Sequence, residues 1–460
     1  MKLQYKKYFQ ESANLPVKKE CEILVVGGGC SGIAAAVAAA RQGAKTILLE
    51  RNFLLGGDAL AGGLSWLSYF NLYHSFHAQP RQLVYGIGYE IARRLTDMGV
   101  TPGFYEDTGT WAQESRDIHA DRESLKAFFQ MFLEENGVEI CYGAFVADAV
   151  MEKSDIRGVV VQEDTDRYVV LAGMVIDASG DGDVAFHAGA NCHEYEVHGV
   201  GMAFGLSDVD LEKAAEYGES YNALTHLAYG TQGEMQGKLV KYGLRTNYVP
   251  GLTPKQQAAE IHSSFCVETV HEGEATYING VNTPGSKIID PVETTDTIVR
   301  LRENIIKSVA FLNENIPGFE NARLSWTTPI AGARQTRYVE CLYDIPASDI
   351  LNGVIPEDSI GLFGCQDCHY AGYLIKDGGW YGIPYRALVP KFVGRLYVLG
   401  RMLSSEYLSY MSTRLTIACF VEGQAAGTAA VMALRSNCQP AELDTDRLRA
   451  KLVQDGVYLG

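Results

Sequence analysis

The sequence predicts an α/β chain, with a parallel-sheet domain assembled from both ends and a smaller α+β domain inserted in the middle. Three observations carry this. Residues 21–50 read as strand, glycine-rich turn, alanine-rich helix and second strand. The apolar run Leu396, Tyr397, Val398, Leu399 and a long apolar helix over 414–435 bring the C-terminal end back to the same sheet. Between about 190 and 350 the apolar runs become shorter and more polar, the texture of a separate unit. The division that follows is an N-terminal extension (1–20), the sheet domain (21–190 and 385–460) and a substrate or cap domain (191–384).

The first element is Cys21-Glu22-Ile23-Leu24-Val25-Val26, running into Gly27-Gly28-Gly29-Cys30-Ser31-Gly32. Gly27, Gly29 and Gly32 satisfy G-x-G-x-x-G. The first glycine permits the tight turn, the second lets backbone approach a pyrophosphate, and the third lets helix pack on strand. The helix that follows offers unpaired N–H groups and the positive end of its dipole to that pyrophosphate. The second strand, Thr46-Ile47-Leu48-Leu49, ends at Glu50, an acid placed to accept ribose hydroxyls. Glu50 disfavours a 2′-phosphate despite neighbouring Arg51. The unit is therefore Rossmann-type and suits FAD or NAD rather than NADP.

Further along, Asp121 stands as N-cap to a helix over 121–136 that collects Leu125, Phe128, Phe129, Phe132 and Leu133 on one face. Strand patterns follow at 138–142, 145–151, 158–162 and 168–176. Ile298, Leu301, Ile305, Val309 and Leu312 mark a helix near 296–314.

Composition narrows the partners. The 460 residues carry 39 Lys+Arg against 56 Asp+Glu, a formal charge of −17. That balance excludes a nucleic-acid or anionic-membrane partner, which needs clustered cations. Ten cysteines, scattered singly except for Cys365 and Cys368, fit reduced thiols. With lysines but no apolar stretch after Met1, the expected location is cytoplasmic. Glycine is the excess, at 48 residues.

Two later segments favour FAD. Met174-Val175-Ile176-Asp177-Ala178-Ser179-Gly180-Asp181-Gly182-Asp183 reads as a strand ending in an acidic glycine turn. Near the C-terminus, Leu399-Gly400-Arg401 ends a strand, and Gly423-Gln424-Ala425-Ala426-Gly427 lies on or opens a small-residue helix. A helix start at the pyrimidine end of a flavin would stabilise charge developing on reduction. With Leu55-Gly56-Gly57, Gly332-Ala333-Arg334-Gln335-Thr336-Arg337 and Ile383-Pro384-Tyr385-Arg386, these segments make the chain resemble the FAD-dependent oxidoreductases of the glutathione-reductase-like fold. That family is related to the fumarate reductase flavoprotein and the heterodisulfide reductase flavin module.

The resemblance implies non-covalent FAD held by Gly27, Gly29, Cys30, Ser31, Gly32, Glu50, Arg51, Gly56, Gly57, Asp58, Val146, Ala178, Ser179, Gly180, Asp181, Gly400, Arg401, Gln424, Ala425 and Ala426. No second G-x-G-x-x-G follows, and the stretch after Gly57 lacks the histidine that covalent attachment would need. Ser179 stands where the family has Thr, and Gln335 where it often has Glu.

Candidate chemistry centres on Arg334, Arg337 and Arg414, guanidinium groups suited to a substrate carboxylate or developing enolate. Cys365-Gln366-Asp367-Cys368-His369 matches a c-type haem pattern literally. The resemblance instead implies His369 as acid or base, oriented by Asp367. His74, His77 and an aromatic group at Tyr370, Tyr373, Trp380, Tyr381 and Tyr385 are weaker candidates for the cavity wall. No histidine, cysteine or carboxylate group has metal-ligand spacing. The expected activity is hydride transfer between flavin and a small substrate bearing a carboxylate or carbonyl. Two alternatives are a flavin subunit exchanging electrons with a donor or acceptor protein, and an NAD-dependent dehydrogenase; a homo-oligomer is compatible with each.

Overall fold

In the computed structural model the described residues are 14–62, 66–74, 81–107, 113–195, 199–283, 288–364, 375–376, 379–403 and 405–460. The central sheet has seven strands. In spatial order they are Glu139–Tyr142, Thr46–Glu50, Val17–Val26, Arg167–Asp177, Asp155–Gln162 and Phe145–Glu152, with Leu396–Val398 also paired to Arg167–Asp177. The four contacts among Glu139–Tyr142, Thr46–Glu50, Val17–Val26, Arg167–Asp177 and Leu396–Val398 are parallel; the other two strands form an antiparallel meander.

Register decides where the site forms. Val26 sits opposite both Leu49 and Asp177, and Asp177 opposite Val398. The strands therefore end level, and Gly27, Glu50, Ala178 and Leu399 emerge together at one carboxyl edge, where open α/β sheets bind ligands. The first strand begins at Val17, within the stretch read from sequence as an extension.

Two buried helices lie back to back on this sheet. A Cβ placed on Gly423 would lie 2.1 Å from the Ser31 carbonyl oxygen, and one on Gly427 would lie 2.1 Å from that of Ala35. Helix Thr416–Ser436 therefore crosses helix Cys30–Arg41 at backbone contact. Thr416–Ser436 is long and apolar enough to cross a bilayer, yet 83% of its apolar window is buried inside the protein. The helix expected near 121–136 spans Arg122–Glu135, and the Asp121 carboxylate accepts the Ser124 N–H at 2.7 Å.

The middle of the chain differs from its sequence texture. It forms a seven-stranded antiparallel sheet over 200–333, covered by helix Pro291–Asn315. Register shifts interrupt the strand pairs, and polar residues such as Lys241 and Glu268 are buried in them, so apolar alternation is weak. A second antiparallel sheet, Arg81–Gln82, Trp66–His74, Gln113–His119 and Tyr105–Asp107, is joined to it through buried charges. His119 Nδ1 lies 2.5 Å from Glu268 Oε2, and Lys241 Nζ lies 3.3 Å from Asp117 and 3.6 Å from Glu268. The core around the parallel sheet includes Val339, Ile350, Ile360, Phe363 and Ile383, residues of the stretch assigned by composition to the inserted domain.

A side chain at the helix crossing has nowhere to go. Gly427→Val should destabilise the protein by about 3 kcal/mol, read as a lower urea midpoint; an unchanged midpoint would contradict so close a crossing.

Candidate cofactor and substrate site

The glycine turn is built by exclusion of side chains. Gly27 has φ +104°, and a Cβ there would fall 2.3 Å from the Ala178 carbonyl oxygen. A Cβ on Gly32 would fall 1.9 Å from the Gly27 carbonyl oxygen, so Gly32 serves the helix–turn contact rather than the cavity. Around Gly29 there is more room, the nearest heavy atom to a Cβ being Gly57 Cα at 3.9 Å. Gly29 and Gly56 form a backbone bridge, which brings the second glycine pair over the first turn. This is a cradle that admits a pyrophosphate to bare backbone and helix N–H groups.

Glu50 is nearly fully buried at the second strand's end. Oε2 accepts the Gly28 N–H at 2.7 Å, and Oε1 accepts the backbone and side-chain N–H of Asn52 at 2.7 and 2.8 Å. The carboxylate is thus held in place with lone pairs left for a ribose.

The acidic turn closes the cleft from the neighbouring strand. Buried Asp177 accepts N–H groups of Ser179 and Ala185, and burial pushes its carboxyl up to about 6. Asp181 is different. Burial raises it, but Arg401, Arg51, the Thr336 hydroxyl and Arg337 together hold it below the ordinary carboxylate value. Arg401 donates to Asp181 Oδ1 at 2.8 Å and to the Ala333 carbonyl at 2.7 Å, tying three chain segments together.

These elements line one open cleft. From the sequence candidates, Gly27, Gly29, Cys30, Ser31, Glu50, Arg51, Gly56, Gly57, Asp58, Val146, Ala178, Ser179, Gly180, Gly400 and Arg401 line it, as do Arg334 and Arg414. Asp181 stands behind the wall, gripping Arg401. Burial drives the lining thiols Cys30 and Cys419 upward, so both stay protonated.

Other candidates fall elsewhere. Gln424, Ala425 and Ala426 lie mid-helix in the core, because the helix opens at Thr416, seven residues before Gly423. Gln424 Oε1 accepts the Ile87 N–H at 2.8 Å. The helix start that faces the cleft is Thr416 with Cys419, within two residues of the start expected at 414, and neither residue was among the cofactor candidates. Arg337 donates to the Asp181 carbonyl and to Asp183 Oδ1, and its guanidinium lies 4.7 Å from the Phe186 ring centre. It braces the acidic turn, while Arg334, three residues earlier, faces the cavity. Gln335 is buried beside Tyr195 and is absent from the cleft wall. Tyr385 bonds the Tyr397 hydroxyl and the Pro440 carbonyl, and Tyr381 the Ser412 hydroxyl, so both rings belong to the core. Cys365, Asp367, Cys368, His369, Tyr370, Tyr373 and His77 lie outside the described residues, as does the His74 side chain. Among the described residues no group of three or more His, Cys, Asp or Glu could hold a metal.

A parallel sheet with a glycine turn, an acid at the second strand and an open cleft along its carboxyl edge defines a dinucleotide-dependent enzyme class. The family model described as FAD dependent oxidoreductase matches residues 22–452. The chain belongs to the FAD-dependent oxidoreductase family, its cofactor is FAD, and the NAD-dependent alternative falls. Over 214 residues it is 31% identical to the probable electron transfer flavoprotein-quinone oxidoreductase YgcN of Escherichia coli, covering 43% of this chain and 45% of that one. It is 27% identical to the thiamine thiazole synthase of Methanococcus vannielii over 173 residues, covering 35% and 56%. The chain spans about half the length of these curated relatives. Among solved structures, a geranylgeranyl bacteriochlorophyll reductase-like protein of Thermoplasma acidophilum aligns over 95% of this chain and 84% of its own, at 14% identity and TM-score 0.47.

Two outcomes test the site. Gly32→Val should abolish FAD retention through gel filtration, read as loss of the flavin absorbance; retention would mean that the turn relaxes. The second concerns pH. Unfolded Asp177 loses its proton near 3.8 and the folded group near 6. Its contribution, roughly 3 kcal/mol, is therefore complete below the lower value and lost as pH rises through the higher. The stability of wild type relative to Asp177→Asn should fall from pH 4 to pH 7, and a constant difference in urea unfolding would refute this.

Proposed function

We propose that the chain transfers hydride between FAD and a small organic substrate bearing a carboxylate or carbonyl. When bound, FAD supplies a two-electron centre at N5. Adenosine belongs at the Glu50 and Val146 end of the cleft and the flavin at the Gly400, Thr416 and Arg414 end, in accord with the pyrophosphate cradle between them. The observation that carries the reading is Arg334: an exposed guanidinium on the cleft wall with no ion-pair partner among the described residues. Arg334 and Arg414 hold the substrate anion, and His369, oriented by Asp367, manages the proton. Arg337 serves the acidic turn. A second reading is electron exchange with a donor or acceptor protein, favoured by the likeness to the probable electron transfer flavoprotein-quinone oxidoreductase.

Anaerobic mixing of the yellow protein with small acids, alcohols and enones, followed by flavin bleaching, separates the readings. A bleaching small molecule supports the first. Reduction by a protein carrier alone supports the second. With a bleaching substrate in hand, Arg334→Ala and Arg414→Ala should each slow bleaching about 10- to 100-fold with FAD still bound. Unchanged rates in both would remove the substrate-holding role.

A further inference from the structure

Glu422 is a buried acid with no part in the chemistry above. Its side chain is wholly enclosed within helix Thr416–Ser436 and its neighbours. Oε2 accepts the Gly400 N–H at 2.7 Å, and Oε1 has no hydrogen-bond partner among the described residues. Gly400 lines the cleft, and so does Cys419, one turn before Glu422 on the same helix. The carboxyl therefore sits directly behind the wall at the end remote from Glu50.

Among the described residues, nothing around it compensates a negative charge. Cys419 on its own helix and Cys30 on the crossing helix are thiols kept protonated by burial. Arg401, next to Gly400, is taken up by Asp181 and Asp58. Arg414 and Asp58 act on Cys419 from the cleft side, and among the described residues no charged group acts on Glu422 itself. A carboxylate with one hydrogen bond and no cation is strongly disfavoured in such a place. Burial accordingly lifts this carboxyl well above the ordinary glutamate value.

We propose that Glu422 is a positioning residue that holds a proton behind the flavin end of the cleft and thereby sets how readily the bound cofactor accepts electrons. While Glu422 is neutral, negative charge can gather on reduced FAD. Once it is ionised, the same charge is opposed through a low-dielectric wall. Reduction of FAD takes two electrons and one proton from solvent at high pH. In the pH window where Glu422 is ionised beside oxidised cofactor but protonated beside reduced cofactor, a second solvent proton is taken up at its carboxyl. The inference rests on the cofactor orientation proposed above.

The test is a dithionite titration of the holoenzyme against reference dyes between about pH 6 and 10, for wild type and Glu422→Gln, which keeps the acceptor for Gly400. Within the window the wild-type midpoint potential should fall by about 30 mV per pH unit more than that of the variant, one further proton per two electrons. Equal slopes throughout, with FAD retained, overturn the proposal. Should Glu422→Gln not fold, the wild type alone decides. Its reduced-minus-oxidised infrared difference spectrum should contain a deuterium-sensitive shift of a protonated carboxyl band, and absence of that band overturns the proposal. Cys419→Ser reports on orientation separately. A shifted flavin absorption supports a flavin at this end, and an unshifted one overturns the orientation and the inference with it.

Discussion

Backbone meeting backbone is the constraint on which this structure depends. At the first turn Gly27 lies against Ala178, Gly32 lies against Gly27, and Gly57 lies against Gly29. Behind the turn, Gly423 and Gly427 let the last long helix press on Ser31 and Ala35. Interiors are close-packed, so a single methyl at any of these points displaces a whole element. The result is a helix N-terminus and two glycine turns held at a fixed separation, leaving an anion-sized path of bare N–H groups between them.

Charge organises what glycine leaves open. Arg401 draws the acidic turn, the Gly332–Ala333 strand and the end of Leu396–Val398 into one knot through Asp181 and the Ala333 carbonyl. Arg337 adds a second clasp through Asp183. The knot takes up Arg337 and most of the capacity of Arg401, whereas Arg334 faces the cavity with no ion-pair partner among the described residues. Glu422, by contrast, has a backbone partner and no cation among the described residues.

Much of the nucleotide-binding half was legible beforehand. Local signals there are strong: G-x-G-x-x-G after an apolar strand, Asp121 capping a helix whose apolar face repeats at helical spacing, and Glu50 at a strand end. The middle sheet was not, since bulges break its alternation and its buried polar residues, Lys241 and Glu268 among them, look like surface residues in a linear reading. The cofactor candidates at 424–426 lie on the helix expected over 414–435, eight or more residues past its first residue, buried in the core and not on the cleft wall.

By itself, the sequence determined the nucleotide-binding class, the glycine turn suited to FAD or NAD, the acid at the second strand and the long apolar helix near the C-terminus. These depend on residue type at short spacing. Only the tertiary structure decided that Arg334 faces the cleft while Arg337 braces a turn, that Thr416 and Cys419 open the wall helix, and that Glu422 is sealed behind Gly400. Each of those outcomes depends on contacts between segments far apart in the chain, where charge and burial are set by partners that a linear pattern does not contain.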